Sequence, residues 1–233
     1  KIISVTKQFA NTSPALIDQG NNLSNWSSNS WGVTNSSYYS PSSSITDSPN
    51  GNYSNNTTNT ITLSNEFDLS NAVAASMTYY AKWEVEANFD YVQVQVSSNN
   101  GLTWVPQCGK YTNMGVQDQV GAHQEPLYDG VQSNWVKEDI DLSDYLGSMI
   151  KIRFLLYADQ GVNEDGFYFD DLQINVDAGS VGGVIENINN WTIYPNPGDD
   201  MIYVNNQNYK GLINVEVIDQ FGRVVKNNRN SKY

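Results

Sequence analysis

The sequence predicts an all-β protein: an antiparallel β-sandwich followed by a smaller β unit. Three observations carry this. The segment YVQVQV at 91–96 alternates strictly, putting Val92, Val94 and Val96 on one face and Tyr91, Gln93 and Gln95 on the other. No stretch of about ten residues keeps the 3.6-residue apolar period of an amphipathic helix. Short extended segments are bounded throughout by Gly, Asn, Asp, Ser or Pro clusters, the punctuation of an antiparallel sandwich.

Taken in order, the first extended segment covers residues 2–9. Residues 21–59 are so rich in Asn, Ser and Thr that composition alone permits disorder, but Trp26, Trp31, Tyr38, Tyr39, Ile45 and Tyr53 punctuate them. Such anchors favour an ordered region of loops and edge strands. Extended segments follow at 61–63 and 75–84. YVQVQV then runs through SSNNG into LTWVP, a β-hairpin in which Asn99, Asn100 and Gly101 supply the positive-φ positions. Further strands are expected at 135–140, 150–158 and 167–176. The stretch DAGSVGGVIENINN has three glycines and no large aromatic, so it reads as a linker. The resulting domains are 1–177, a linker at 178–190, and 191–233. Within the last, strands are expected near 191–197, 201–205 and 213–219, with a turn at 220–222 before 223–226.

Composition narrows the function. The 233 residues carry 12 Lys+Arg against 25 Asp+Glu, a formal charge of −13, yet only 16% of residues are charged. Polarity comes mainly from 31 Asn and 24 Ser. Nucleic acid and anionic membrane are poor partners for such a surface. The longest apolar run, at 152–158 and broken by Arg153, falls far short of the roughly 20 residues of a transmembrane segment. The start, KIISVTKQFA, has no apolar targeting core and no initiator Met, which suggests that upstream sequence precedes it.

The second unit carries specific motifs. Trp191-Thr-Ile-Tyr194-Pro195-Asn196-Pro197, then Met201-Ile-Tyr-Val204, then Val215-Glu-Val-Ile-Asp219-Gln-Phe-Gly222-Arg223-Val-Val225, resemble the carboxy-terminal sorting domain of substrates of the type IX secretion system of Bacteroidetes. The physics of the motif stands apart from the name. Pro195 and Pro197 fix φ and remove two donors, so this segment cannot be a central strand. Gly222 supplies the unhindered backbone of a tight turn. The chain stops at Tyr233, before the family's closing strands and basic motif, which implies a truncated signal. The resemblance implies a small, partial immunoglobulin-like β-sandwich behind the first β-sandwich, a secreted or surface-attached, extracellular protein, and the type IX machinery as partner.

Residues 1–177 carry a second resemblance. Thr46-Asp47-Ser48-Pro49-Asn50-Gly51-Asn52-Tyr53, Trp83-Glu-Val-Glu86-Ala-Asn-Phe-Asp90-Tyr91, Ser97-Ser-Asn-Asn-Gly101-Leu-Thr-Trp104 and Asp165-Gly-Phe-Tyr-Phe-Asp170-Asp171 are similar to the MAM and immune-inhibitor-A-like jelly rolls that follow the catalytic domain of secreted bacterial metallopeptidases. The combination most resembles the region behind the catalytic domain of flavobacterial zinc carboxypeptidases. It implies a non-catalytic accessory module whose partner is an upstream catalytic domain of the same polypeptide.

The chemistry-bearing residues agree with a non-catalytic fragment. A zinc peptidase needs at least two imidazoles with a carboxylate, and the sequence holds one His, His123, so no Zn site is expected in this chain. No G-x-S-x-G elbow accompanies His123, which reads as a surface loop residue. Cys108, the single cysteine, lacks a thiol partner and reads as a small core or edge residue rather than a nucleophile. The 97–104 turn also echoes the Asp-box of sialidase propellers, but a propeller repeats its hairpin in every blade and this chain does not.

The carboxylates point to a cation. By strand alternation Asp170 shares a face with Leu172, Ile174 and Val176, while Asp171 points the other way unless a bulge intervenes. Two carboxylates about 4 Å apart repel by roughly 4 kcal/mol at an effective dielectric near 20. Resembling jelly rolls hold a structural Ca²⁺ with an acid of the Asp-Ser-Pro loop and the Asp at this strand position. The resemblance therefore implies Ca²⁺ with Asp47, Glu86, Asp90, Asp170 and Asp171 as candidate ligands. The alternative reading has Asp47 capping a turn, Glu86 and Asp90 on a solvated hairpin, and Asp170 accepting backbone N–H bonds.

The aromatics Trp26, Trp31, Tyr38, Tyr39 and Tyr53 suit stacking on sugar rings, and core packing explains them as well. A glycan or a protein substrate is thus the remaining partner class, with a carbohydrate-binding or adhesion module of a surface protein as the alternative function.

Overall fold

The computed structural model describes residues 14–28 and 30–177, and further on the backbone of four strands at 191–194, 203–206, 213–218 and 224–231. The strand expected at 2–9, the linker at 178–190 and the motif residues Pro195, Asn196, Pro197, Asp219, Gly222 and Arg223 lie outside the described residues. The chain divides into two units, one spanning Thr12–Gly179 and the other including Ser180–Tyr233.

In the first unit the strands are β1 (Pro14–Asp18), β2 (Trp26–Ser28), β3 (Gly32–Thr34), β4 (Ser44–Thr46), β5 (Thr57–Leu63), β6 (Phe67–Asp68) and β7 (Ala74–Val85). There follow β8 (Tyr91–Ser97), β9 (Val105–Pro106), β10 (Asn113–Met114), β11 (Pro126–Leu127), β12 (Gly130–Asp141), β13 (Met149–Ala158) and β14 (Gly166–Asp177). One six-stranded sheet runs β12-β7-β14-β4-β3, with β1 also on β14. The other runs β2-β5-β13-β8-β9, with β6 on β13. All of these pairs are antiparallel.

Alternation turns one face of each sheet inward. Met77, Tyr79 and Ala81 of β7 with Phe167 and Phe169 of β14 meet Val92, Val94 and Val96 of β8 and Ile152, Phe154 and Leu156 of β13 in one buried core. Phe154 and Phe169 stack across it with centroids 4.3 Å apart and planes 5° from parallel. Trp26 meets both of these rings edge-on, and Trp31 tilts against them. Three of the five candidate sugar-stacking aromatics are therefore core: Trp26, Trp31 and Tyr53 are buried. Only Tyr38 and Tyr39 stay exposed.

The other face of β8 is also covered. Gln93 and Gln95 are buried and linked: Arg153 Nε donates to Gln95 Oε1 at 2.7 Å, Gln95 Nε2 to Gln93 Oε1 at 2.7 Å, and Gln93 Nε2 to Glu125 Oε2 at 3.1 Å. The hairpin after β8 is self-contained. Asn100 and Gly101 take positive φ, and the Ser97 hydroxyl accepts the Gly101 N–H at 2.8 Å while Asn99 Oδ1 accepts that of Thr103 at 2.9 Å.

A bulge in β14 corrects the expected alternation. Asp171 stands at φ 48°, and the register with β7 shifts between Asp170 and Gln173. Phe167 and Phe169 before the bulge and Leu172 and Ile174 after it all reach the core. Asp170 consequently lies on the outer face with Tyr168, not on the side of Leu172 and Ile174. In the second unit β15 (Trp191–Tyr194) pairs antiparallel with β16 (Tyr203–Asn206), and β17 (Ile213–Ile218) with β18 (Val224–Ser231).

Candidate functional site

The connection from β7 to β8 carries the chain from one sheet to the other in five residues, 86–90. Asn88 takes φ 71°, and the Asp90 N–H returns to the Glu86 carbonyl at 3.2 Å. Because β13 runs antiparallel to β8 with Tyr157 opposite Tyr91, the end of β13 delivers Asp159 to this turn. Oxygen atoms of Glu86, Asp90 and Asp159 all lie within 4.8 Å of one another.

The 50–56 segment is laced onto the loop that follows β13. The Asn56 N–H donates to the Asp159 carbonyl at 2.5 Å, and that of Tyr53 to the Glu164 carbonyl at 3.1 Å. Asn55 Nδ2 reaches the carbonyls of Gln160 at 3.0 Å and Gly161 at 2.7 Å, and Asn52 Nδ2 that of Asn163 at 2.9 Å. The amide-rich composition has a local use here: side-chain amides satisfy loop carbonyls that no strand partner reaches.

Within the group, Asp90 is fully buried. Its Oδ1 accepts the Asp159 N–H at 2.7 Å and its Oδ2 the Tyr53 hydroxyl at 2.8 Å. Burial raises its carboxyl above the ordinary range, those two hydrogen bonds oppose the rise, and the charges of Asp159 and Glu86 add to it. Asp159 Oδ1 accepts the Gly161 N–H at 2.6 Å, and Glu86 Oε2 that of Val162 at 3.3 Å. A Cβ at Gly161 would stand 2.9 Å from Asp159 Oδ1 and 3.2 Å from Glu86 Oε2, so the backbone approaches these oxygens closely. Asn55 Oδ1 is buried with no hydrogen-bond partner.

Of the five candidate cation ligands, the structure brings Glu86 and Asp90 together, and adds Asp159, which sequence reasoning missed. Asp47 stands elsewhere, packed against Gly166: Oδ1 accepts the Phe167 N–H at 2.6 Å, while Oδ2 has no partner. Burial pushes its carboxyl up to about 7. Asp170 accepts three backbone N–H groups, from Tyr39 at 2.9 Å, Ser40 at 3.0 Å and Asp171 at 2.7 Å. Asp171 Oδ1 accepts the Ser40 hydroxyl at 2.9 Å. Asp170 and Asp171 therefore hold the 39–40 loop, as the hydrogen-bonding alternative expected of Asp170. His123 is exposed in a loop. Cys108 is exposed as well, a loop residue 3.7 Å from the Thr112 hydroxyl, not a core or strand-edge one. Tyr194 lies in β15. Among the described residues no helix is long and apolar enough to cross a membrane.

Comparison with known proteins adds an independent line. Residues 48–188 match the family profile of the immune inhibitor A-like MAM domain, and residues 192–233 that of the secretion system C-terminal sorting domain. Immune inhibitor A of Bacillus thuringiensis is 26% identical over 112 residues, 48% of this chain and 15% of its own length. A pre-pro-metalloprotease, PrtV, of Vibrio cholerae is 28% identical over 103 residues, 44% of this chain and 10% of its own. The chain thus spans a small part of these relatives. Among solved structures, a cleaved adhesin domain of Lys-gingipain from Porphyromonas gingivalis superposes with a TM-score of 0.44 at 13% identity, covering 70% of this chain and 98% of that one. A family 30 carbohydrate binding module gives 0.41 at 13% identity, covering 76% and 90%.

Proposed function

The chain belongs to the immune inhibitor A-like MAM domain family, and because that domain stands directly before a secretion sorting domain, we propose that the two form the non-catalytic accessory and export region of a secreted metallopeptidase. The order of the two modules is the observation that carries the reading. The sorting domain marks a secreted or surface-exposed protein, and its partner in export is the type IX machinery. A metalloprotease among the relatives supports the class of the parent. The sequence resemblance supports a zinc carboxypeptidase as its specific form. One His, exposed in a loop, leaves this chain without the imidazoles that a peptidase zinc needs. Its own work is then to fold beside the catalytic domain and to carry it out of the cell. Incubation of the full chain with peptides bearing free or blocked carboxy termini, with and without added Zn²⁺, should give no hydrolysis. Turnover that survives chelation and repurification overturns the reading.

The finer proposal is a structural Ca²⁺ held by Glu86, Asp90 and Asp159. Three carboxylates close together, one fully buried, favour a hard cation with several oxygen ligands. The unpartnered Asn55 Oδ1 beside the same loop and the tight approach of Gly161 support it. When bound, the ion supplies the positive charge that offsets mutual repulsion, and the chain's own groups fix the 86–90 turn against the loop after β13. Calorimetry of the chelated protein with Ca²⁺ should show binding and a raised melting temperature, both lost in Asp159→Asn. Absence of both in the parent protein refutes the ion without touching the accessory role.

A further inference from the structure

The outer face of the first sheet presents an aromatic group that neither the core nor the carboxylate site uses. On one rung, Lys137 of β12 and Asp170 of β14 flank Tyr80 of β7. Tyr39, from the loop between β3 and β4, lies flat on Tyr80 with centroids 3.4 Å apart and planes 9° from parallel. Trp135 stands edge-on to Tyr39 at 6.4 Å and 64°. Tyr39 is 45% exposed and its neighbour Tyr38 42%.

An exposed tyrosine on a loop ordinarily samples several rotamers. This one is fixed at both ends. Its backbone N–H and that of Ser40 both donate to Asp170 Oδ2, at 2.9 and 3.0 Å, and its ring is stacked on Tyr80. The Ser40 hydroxyl is tied to Asp171 as well. An aromatic surface held rigid while still open to solvent has its ordering cost met before any ligand arrives, the condition for a preformed binding platform.

We propose that Tyr39, stacked on Tyr80, forms the floor and Trp135 the wall of a binding site for neutral saccharides. A flat ring with a second set edge-on beside it suits the C–H face of a pyranose, and Lys137, paired opposite Tyr80, and Asp171, bonded to the Ser40 hydroxyl next to Tyr39, offer polar groups to the sugar hydroxyls. The surroundings favour a polyhydroxylated ligand over a greasy one. Facing the same side as Tyr80, Ser76, Thr78, Lys82 and Glu84 of β7 and Lys137, Asp139 and Asp141 of β12 are all polar, and the exposed aliphatics of this face, Val131 opposite Glu84 and Ile17 opposite Gln173, stand away from the rung of Tyr80. The formal charge of −13 disfavours a polyanionic ligand.

The test is affinity electrophoresis of the full chain through gels containing soluble β-glucan, xylan, galactan or mannan. Calorimetry then follows with oligosaccharides of any polymer that retards it. At least one polymer should retard the protein, and Tyr39→Ala and Trp135→Ala should each weaken that binding about tenfold or more, while Tyr39→Phe stays within about threefold. The two alanine variants sit on different elements, so a folding defect in one leaves the other informative, and unchanged thermal melts establish that loss is local. Three results overturn the proposal: no retardation by any of the four polymers, retardation that both alanine variants retain, or retention on a proline-rich peptide column without polysaccharide binding.

Discussion

The hydroxyl of Tyr53 donates to Asp90 Oδ2 at 2.8 Å and accepts the Glu86 N–H at 3.1 Å, so one side chain from the asparagine-rich segment fixes two members of the carboxylate group. Burial raises the phenol further above its ordinary value, so it stays a donor at every physiological pH. Tyr53→Phe leaves the buried Asp90 short of one donor and should destabilise the domain by about 1–3 kcal/mol. Thermal unfolding with and without Ca²⁺ checks this. Equal melting temperatures for the two proteins would remove Tyr53 from the site.

Asp47 predicts a pH dependence of definite sign. Its folded-state carboxyl is raised to about 7, chiefly by burial, above the ordinary value of about 4 in the unfolded chain. The folded state therefore prefers the neutral acid, and this group's contribution to stability is greatest below about pH 4. Stability falls as pH rises from about 4 to about 7, by an amount on the order of 4 kcal/mol from this group, and the group adds nothing further above that. Asp47→Asn removes the titration and should flatten the decline in urea midpoints over this window. Parallel pH profiles for variant and parent contradict the assignment.

Much of this was legible in the sequence, because alternation and turn chemistry are local. YVQVQV formed β8 with its valines inward, and Asn100 and Gly101 took the positive φ the turn needed. What local patterning misses is set by neighbours. Alternation puts Gln93 and Gln95 opposite the valines without showing what covers that face; both are buried, because Glu125 and Arg153 come from elsewhere to complete their hydrogen bonds. Asp170 changed faces because one residue, Asp171, entered the left-handed region, and no composition signal marks a bulge whose extra residue is an aspartate. Asp159 became visible only through the pairing of β13 with β8. The register of Tyr157 opposite Tyr91, drawn from two strong strand signals, was the clue that placed it beside Asp90.

Arg153 is the next test of how the second sheet is covered. Its guanidinium lies 4.1 Å over the Trp104 ring, and Nε donates to Gln95 at the head of the amide chain. Burial lowers its pKa from the usual guanidinium value, and it stays charged. Lysine cannot both stack as a plane and donate sideways. Arg153→Lys should lose about 1–2 kcal/mol, and its effect should not add to that of Trp104→Ala. Additive losses in a double-mutant cycle would show the stacking to be energetically silent.

Gly115 makes a sharper prediction about the loop that covers Gln93. A Cβ built there would stand 1.9 Å from the Ala122 carbonyl oxygen, a backbone atom with no freedom to rotate away. The Gly115 N–H also donates to the Glu125 carbonyl at 2.8 Å, and its carbonyl accepts the Gln124 N–H at 2.8 Å. Gly115→Ala should therefore shift the whole 115–125 loop and destabilise by about 2 kcal/mol or more. Hydrogen exchange would show the Gly115 and Gln124 amides opening first, and unchanged protection at both would refute the packing described.

Asp170 and Asp171 are adjacent acids with opposite expected tolerances. Asp170 accepts three backbone N–H groups, and burial raises its carboxyl, so removing it strands three donors at the root of the Tyr39 loop. Asp170→Ala should cost about 3 kcal/mol and speed exchange at the Tyr39 and Ser40 amides. Asp171 contributes one side-chain bond, to the Ser40 hydroxyl, while its backbone sits at φ 48°, where a side chain is unfavourable. In Asp171→Gly the relief of that conformation opposes the lost bond, and the urea midpoint should stay within about 1 kcal/mol of the parent. If Asp171→Gly is the more damaging of the two, the bulge owes its form to the Ser40 contact and not to the acceptor behind it. Tyr39 would then be anchored through Asp171.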